Sequence, residues 1–183
     1  MLLTHKKNTK VELQLTHYSQ TVHWIFRFGY RYFKQLLQPN KFNVNIALLS
    51  PIEFFDFVQS KEYVKDKGEH LSSPEISIDR AGTGHYFDCD DRAILAIAYF
   101  LMKNYLLGYD RYKIRVNVTG RAGKDRPHHV FIDYCDTKVD PEKWITFDPT
   151  YPRNVYGKHL FIPAGYYQTY TYDPKKDKII PIR

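Results

Sequence analysis

At 183 residues, 43% hydrophobic and 26% charged, the chain can fill a core without disulfide staples and is too apolar to stay disordered. Its formal charge of +7 is scattered, with small clusters only at Lys6-Lys7 and Lys175-Lys176. No helix-turn-helix, zinc-finger or RNA-recognition pattern accompanies it, so nucleic acid is not expected as the main partner.

No apolar stretch approaches the roughly 18 residues that span a bilayer, so no membrane contact is expected. Met1-Leu2-Leu3-Thr4-His5-Lys6-Lys7 is too short an apolar start for a secretory signal. Cytoplasm is the expected address, and a free thiol survives there. The chain reads as one domain, 1–183, with an N-terminal arm and helix over 1–45, a core over 46–152 and an extension over 153–183.

Met1 to about Leu15 is polar and reads as a loosely held arm or an edge strand. Val22, Ile25, Phe26, Tyr30, Phe33, Leu36 and Leu37 give an apolar stripe to a helix from about Ser19 to Gln38, interrupted by Gly29 and ended by Pro39. Ser50-Pro51-Ile52-Glu53 is a capping box with proline at the first helical position. The helix it starts should run to about Ser60 and bury Phe54, Phe55, Phe57 and Val58. Lys61 to Gly84 reads as loop, with a short strand near Ile76 and Ile78, and should wall the cleft that Cys89 faces.

Asp88 is placed to cap a helix in which Ala93, Ile94, Ile97, Ala98, Leu101 and Met102 share a side, and Gly108 ends it. Cys89 then falls in the first turn, where the helix dipole favours a thiolate. Asp90 and Asp91 oppose ionisation, so an imidazolium partner is needed. Three strands are expected next: Tyr112 to Val118, His128 to Tyr134, and Trp144 to Asp148, with a basic turn from Gly120 to Pro127. From Tyr151 onward at most one more strand is expected. Cys135 reads as a turn residue, and no disulfide with Cys89 is expected. No histidine and cysteine set has zinc-ligand spacing, so neither a metal nor a cofactor is expected.

A nucleophilic thiol needs a base, and the base needs an orienting acceptor. His129 near the start of one strand and Asp148 at the end of the next could supply both. His129 shares a strand face with Phe131 and Asp133. His128 shares the other, core-like face with Val130, Ile132 and Tyr134, so His129 is favoured over His128 as the base.

Three blocks carry a resemblance: Asp88-Cys89-Asp90-Asp91-Arg92-Ala93, His129-Val130-Phe131-Ile132-Asp133, and Trp144-Ile145-Thr146-Phe147-Asp148-Pro149-Thr150. In order and spacing they resemble the transglutaminase-like superfamily, which shares the papain-type cysteine-protease arrangement. The stretch from Phe54 to Glu75 resembles the lead-in of its bacterial and phage branch. The resemblance covers about residues 50 to 152.

It implies an α+β fold in which N-terminal helices and a Cys-bearing helix pack on an antiparallel sheet. It also implies a nucleophile at Cys89, a general base at His129 and an orienter at Asp148. The implied activity is acyl transfer on a protein or peptide substrate, with hydrolysis favoured over cross-linking.

The chain departs from the family where His85-Tyr86-Phe87 replaces the glycine before Asp88. The backbone N–H of Cys89 would be one oxyanion donor; His85 or Tyr86 is the candidate for the other and for the site wall. A rival reading keeps the fold without catalysis, as a phage virion or assembly component with virion or assembly partners.

Overall fold

Helix α4 (Cys89–Leu107) is buried over most of its length, and the other elements are arranged around it. A computed structural model describes residues 2–6, 9–12, 17–68, 70–120, 126–158 and 166–182, with side chains from 17 onward. Asp88 caps α4 by accepting a hydrogen bond from the Asp90 N–H at 3.2 Å. Gly108 closes it at φ +76°, a left-handed conformation that favours glycine.

Helix α1 (Tyr18–Tyr32) lies across α4 and continues as a 3-10 turn, Phe33–Leu37. Gly29 does not interrupt it. A Cβ there would sit 2.4 Å from Cγ2 of Ile97 on α4, so glycine is what lets the two helices approach. Helix α2 (Pro51–Gln59) starts at the expected capping box, with Ser50 N–H bonded to Glu53 at 2.7 Å. It buries Phe54, Phe55 and Val58, while Phe57 is half-buried.

Helix α3 (Pro74–Arg80) replaces the strand expected near Ile76 and Ile78. Their two-residue spacing suggested alternation, but Pro74 sits in the first turn and both isoleucines are buried in the resulting short helix.

On the other side of α4 is an antiparallel sheet of order β6-β5-β4-β7-β8. Its strands are β4 (Tyr112–Gly120), β5 (Pro127–Asp136), β6 (Ile145–Phe147), β7 (Tyr167–Asp173) and β8 (Lys178–Ile182). The C-terminal part thus supplies two strands where at most one was expected. Cys135 lies on β5, fully buried, and not in a turn.

Near the N-terminus, β1 (Leu2–Lys6) pairs antiparallel with β2 (Thr9–Glu12) and parallel with β3 (His70–Ser72). The expected arm or edge strand is therefore part of a small mixed sheet. Residues 121–125 of the expected basic turn, His159 and the side chain of His5 lie outside the described residues.

The core faces of β4, β5 and β6 present Val116, Val118, Val130, Ile132, Tyr134 and Phe147 to the helices. Rings fill the space between: Tyr99 stacks on Phe54 at 4.2 Å and Phe100 on Tyr134 at 4.2 Å. α1 also reaches the last two strands. Tyr18 Oη meets Tyr170 Oη at 2.9 Å, His23 Nε2 meets Asp177 at 2.9 Å, and Phe26 stacks on Tyr172 at 5.3 Å. Residues before 46 and after 152 therefore contribute to the same buried core as the middle of the chain. Among the described residues no helix is long and apolar enough to cross a membrane.

The Gly29 crossing sets a direct test. Alanine is the better helix former by about 1 kcal/mol, but its methyl would overlap Ile97, and overpacking costs about 1–3 kcal/mol. Gly29→Ala is expected to lower the melting temperature by several degrees, measured by circular dichroism, whereas pairing it with Ile97→Val should recover part of the loss.

Candidate functional site

The first turn of α4 meets the start of β5 and the end of β6. The β4–β5 register shifts there: Thr119 lies opposite His129 but Gly120 opposite Pro127, so His128 is the extra residue of a bulge. The β5–β6 register, Ile132 against Phe147, continues to put Asp148 beside Phe131. In an antiparallel pair that is the sheet face His129 occupies. His129 Nε2 and Asp148 Oδ2 are 2.9 Å apart, and both side chains are about nine-tenths buried.

Both carboxylate oxygens and the backbone carbonyl of Asp148 are hydrogen-bonded. Oδ1 accepts the Thr150 N–H at 3.2 Å, and its carbonyl accepts from Asn154 Nδ2 at 2.9 Å. Gln59 at the end of α2 in turn fixes the backbone carbonyls of Tyr151 and Asn154 at 2.8 and 2.9 Å. Burial pushes the Asp148 carboxyl up, but the charge and hydrogen bond of His129, with the bonds from Thr150, bring it below the ordinary carboxylate range. The His129 ring is clamped between Phe131 at 5.7 Å and Tyr151 at 5.4 Å. Its second nitrogen, Nδ1, is buried without a hydrogen-bond partner.

Cys89 is half-buried. Its sulfur receives a hydrogen bond from the backbone of Val130, the residue after His129, and feels the charges of Asp90, Asp88 and Asp148. Sγ lies 3.6 Å from Asp90 Oδ1. Burial, then the carboxylates of Asp90 and Asp88, push the thiol well above its usual range, against the Val130 bond. Sulfur, imidazole and carboxylate, far apart along the chain, are thus brought to one locality.

Asp91 is not part of it. Its side chain turns into the core and accepts a 2.9 Å hydrogen bond from Ser77 Oγ on α3. The acidic neighbours that oppose a thiolate are Asp90 and Asp88, where Asp90 and Asp91 were expected.

A cleft of about 210 Å³ opens beside His129, and Cys89 and Asp148 are not among the residues that line it. Asp88, Asp90, His128 and His129 line one part, with Lys65 and Asp66 from the loop expected to form a wall. Tyr18, Thr21, Val22 and Ile25 of α1 form another part, which the reading of α1 as a core helix with a solvated face did not foresee. His85 and Tyr86 are both exposed and do not line this cleft; Tyr86 stands edge-on to His70 at 5.8 Å. The second oxyanion donor expected from one of them is therefore not supplied at the cleft by either.

No family model, curated protein or solved structure matches this chain. The site therefore stands on its geometry. Among the described residues, the donor atoms of Asp88, Cys89 and Asp90 lie within 4.8 Å of one another, close enough to share a metal ion. Asp88 already takes the Asp90 N–H and bonds to Asp66.

Two side chains that hold the site were not expected from the sequence. Arg92 stands three residues after Cys89 and is 1% exposed, where an arginine on a helix normally reaches water. Asn154, which holds the Asp148 carbonyl, lies in a stretch without periodicity, so nothing marked it.

Burial raises the Asp91 carboxyl well above its usual range, so the folded chain holds that proton at pH values where the unfolded chain has lost it. Stability should then fall as pH rises from the unfolded carboxyl pKa of about 3.9 toward the raised folded value. Asp91→Asn removes this slope while keeping an acceptor for Ser77. The variant should gain melting temperature on the parent progressively between about pH 4 and pH 7, and parallel curves would contradict the assignment.

Proposed function

We propose that this chain is a cysteine-dependent acyl-transfer enzyme of transglutaminase-like, papain-related type, with Cys89 as nucleophile, His129 as general base and acid, and Asp148 as orienter. The observation that carries the reading is His129. One ring nitrogen is anchored to Asp148 at 2.9 Å while the other is buried and unpaired, and the next residue's backbone touches the Cys89 sulfur. A buried polar atom without a partner is costly, and a reacting group that completes the bond offsets that cost.

In the proposed cycle the Cys89 S–H proton passes to Nδ1 of His129, and the thiolate attacks the carbonyl carbon of a peptide or carboxamide. The oxyanion forms beside the Cys89 backbone N–H, which as the first residue of α4 has no acceptor within the helix. His129 returns the proton to the leaving nitrogen, the C–N bond breaks, and an acyl-thioester remains on Cys89. Water, deprotonated by His129, attacks the thioester; its C–S bond breaks, a carboxylic acid leaves and the thiol is restored. A lysine amine in place of water would give cross-linking. Hydrolysis is the favoured outcome.

One observation favours a second reading, a non-catalytic structural or assembly protein: the surroundings push the thiol up, and only a proton transfer to His129 overcomes that. The two readings separate on the pH dependence of iodoacetamide alkylation. An enzyme should alkylate at Cys89 well below pH 8, because thiol and imidazole ionise as a pair. His129→Ala should move the profile above pH ~9, the side on which a lone buried thiol among carboxylates belongs. Asp148→Asn should slow alkylation by up to about 100-fold at neutral pH, the scale of a misplaced catalytic group. A scaffold would show an inert thiol in the parent, identical to that of His129→Ala.

A further inference from the structure

Among the described residues Arg92 is the largest side chain that is almost wholly buried. Its guanidinium donates to three backbone carbonyls from three separate segments: Val58 near the end of α2 at 3.2 Å, Lys61 in the following loop at 2.7 Å, and Pro149 directly after Asp148. It also lies over the Phe87 ring at 4.7 Å and near the Tyr63 ring at 5.8 Å. Phe87 is in turn tied to Val64 by two backbone hydrogen bonds, of 2.9 and 3.2 Å.

We propose that Arg92 is a positioning residue for the thiol reaction: it ties the turn carrying Cys89 to the backbone carrying Asp148, and so sets where Asp148 holds His129. The inference rests on the acyl-transfer reading above.

Several features separate this from ordinary core filling. The hydrogen bonds of Arg92 go to backbone carbonyls and not to a carboxylate, so what it fixes is the path of the chain. The fork of N–H groups is what allows three carbonyls to be bridged, which a lysine ammonium does poorly. The charge is also placed to act.

The groups acting on Cys89 are Asp88 and Asp90 from α4, Asp148 after β6, to which His129 is bonded, and Tyr63 from the loop after α2. Three of these are carboxylates. Burial pushes the Arg92 pKa down to about 10, with Asp148, Tyr63, Asp88 and Cys89 holding it up. It therefore remains a cation at neutral pH and, with Lys65 beside Asp88, partly offsets those carboxylates.

The test uses the full chain with Arg92→Lys, which keeps a cation but not the three-way bridge, and Arg92→Met, which removes both. In a Cys89→Ala background no thiol chemistry enters, and the Nε2–H proton of His129 is followed by NMR. The expected result is a protected resonance in the parent that broadens or disappears in Arg92→Lys, with the melting temperature nearly kept. With Cys89 intact, alkylation at pH 7 should fall about 10- to 100-fold in Arg92→Lys and further in Arg92→Met.

A His129 proton unchanged in the folded variants overturns the proposal even if stability drops, because a purely structural arginine would change stability alone. Arg92→Lys, the milder change, decides where Arg92→Met does not fold. Failure of the acyl-transfer reading shows up elsewhere, as a parent thiol no faster than that of His129→Ala.

Discussion

The first turn of α4 has to serve two opposed requirements. Buried apolar side chains along Ala93 to Met102 fix the helix in the core, and that leaves its N-terminal end, with Cys89 first, pressed against the start of β5. The helix end supplies unpaired N–H groups and a positive dipole, which favour negative charge. The same turn carries Asp88 as cap and Asp90 beside the sulfur, which disfavour it. Helix capping and thiol ionisation therefore compete for one small volume. The capping carboxylate is indispensable to the helix start and a handicap to the thiol.

What balances the competition comes from elsewhere in the fold. The Val130 backbone reaches the sulfur from the sheet, His129 is the residue before it and is bonded to Asp148, and Arg92 holds the carbonyl of Pro149. None of these is local in sequence to Cys89 except Arg92, three residues on. The loop after Asp148 is held by side chains from α2 and from its own continuation, Gln59 and Asn154, so the position of the carboxylate depends on packing far from the sheet. His129 and Asp148 are held by bonds from groups around them, which stiffens their arrangement.

The parts that could be read from sequence were those fixed by local rules. Ser50 with Glu53, Asp88 before α4 and Gly108 after it each satisfy or terminate backbone groups within a turn, so residue type and spacing suffice. The β4 and β5 alternation, and the pairing that brings Asp148 to His129, followed from period and connection length. Ile76 and Ile78 misled because two residues are too few to distinguish a strand period from a short helix that buries both.

The argument that the face of His129, Phe131 and Asp133 is the less buried one also fails in detail. Phe131 and Asp133 are 3% and 4% exposed, and Asp133 is paired with Arg115 at 2.8 Å. Both faces of β5 are covered, and only tertiary structure could show it. The direction of Asp91, inward to Ser77, was hidden for the same reason: adjacent helical residues point about 100° apart, and which one meets the core depends on what packs there.

The contact between α1 and the final strands has a temporal side. Tyr18 and Tyr170, joined by their hydroxyls, are 152 residues apart in the chain. At translation speeds of about 5–20 residues per second, α1 waits roughly 8 to 30 seconds for that partner to be synthesised. Until then Phe26 lacks the ring it stacks on, and the α1 side of the cleft lacks its backing. On the ribosome this clasp stays open until residue 170 has been made.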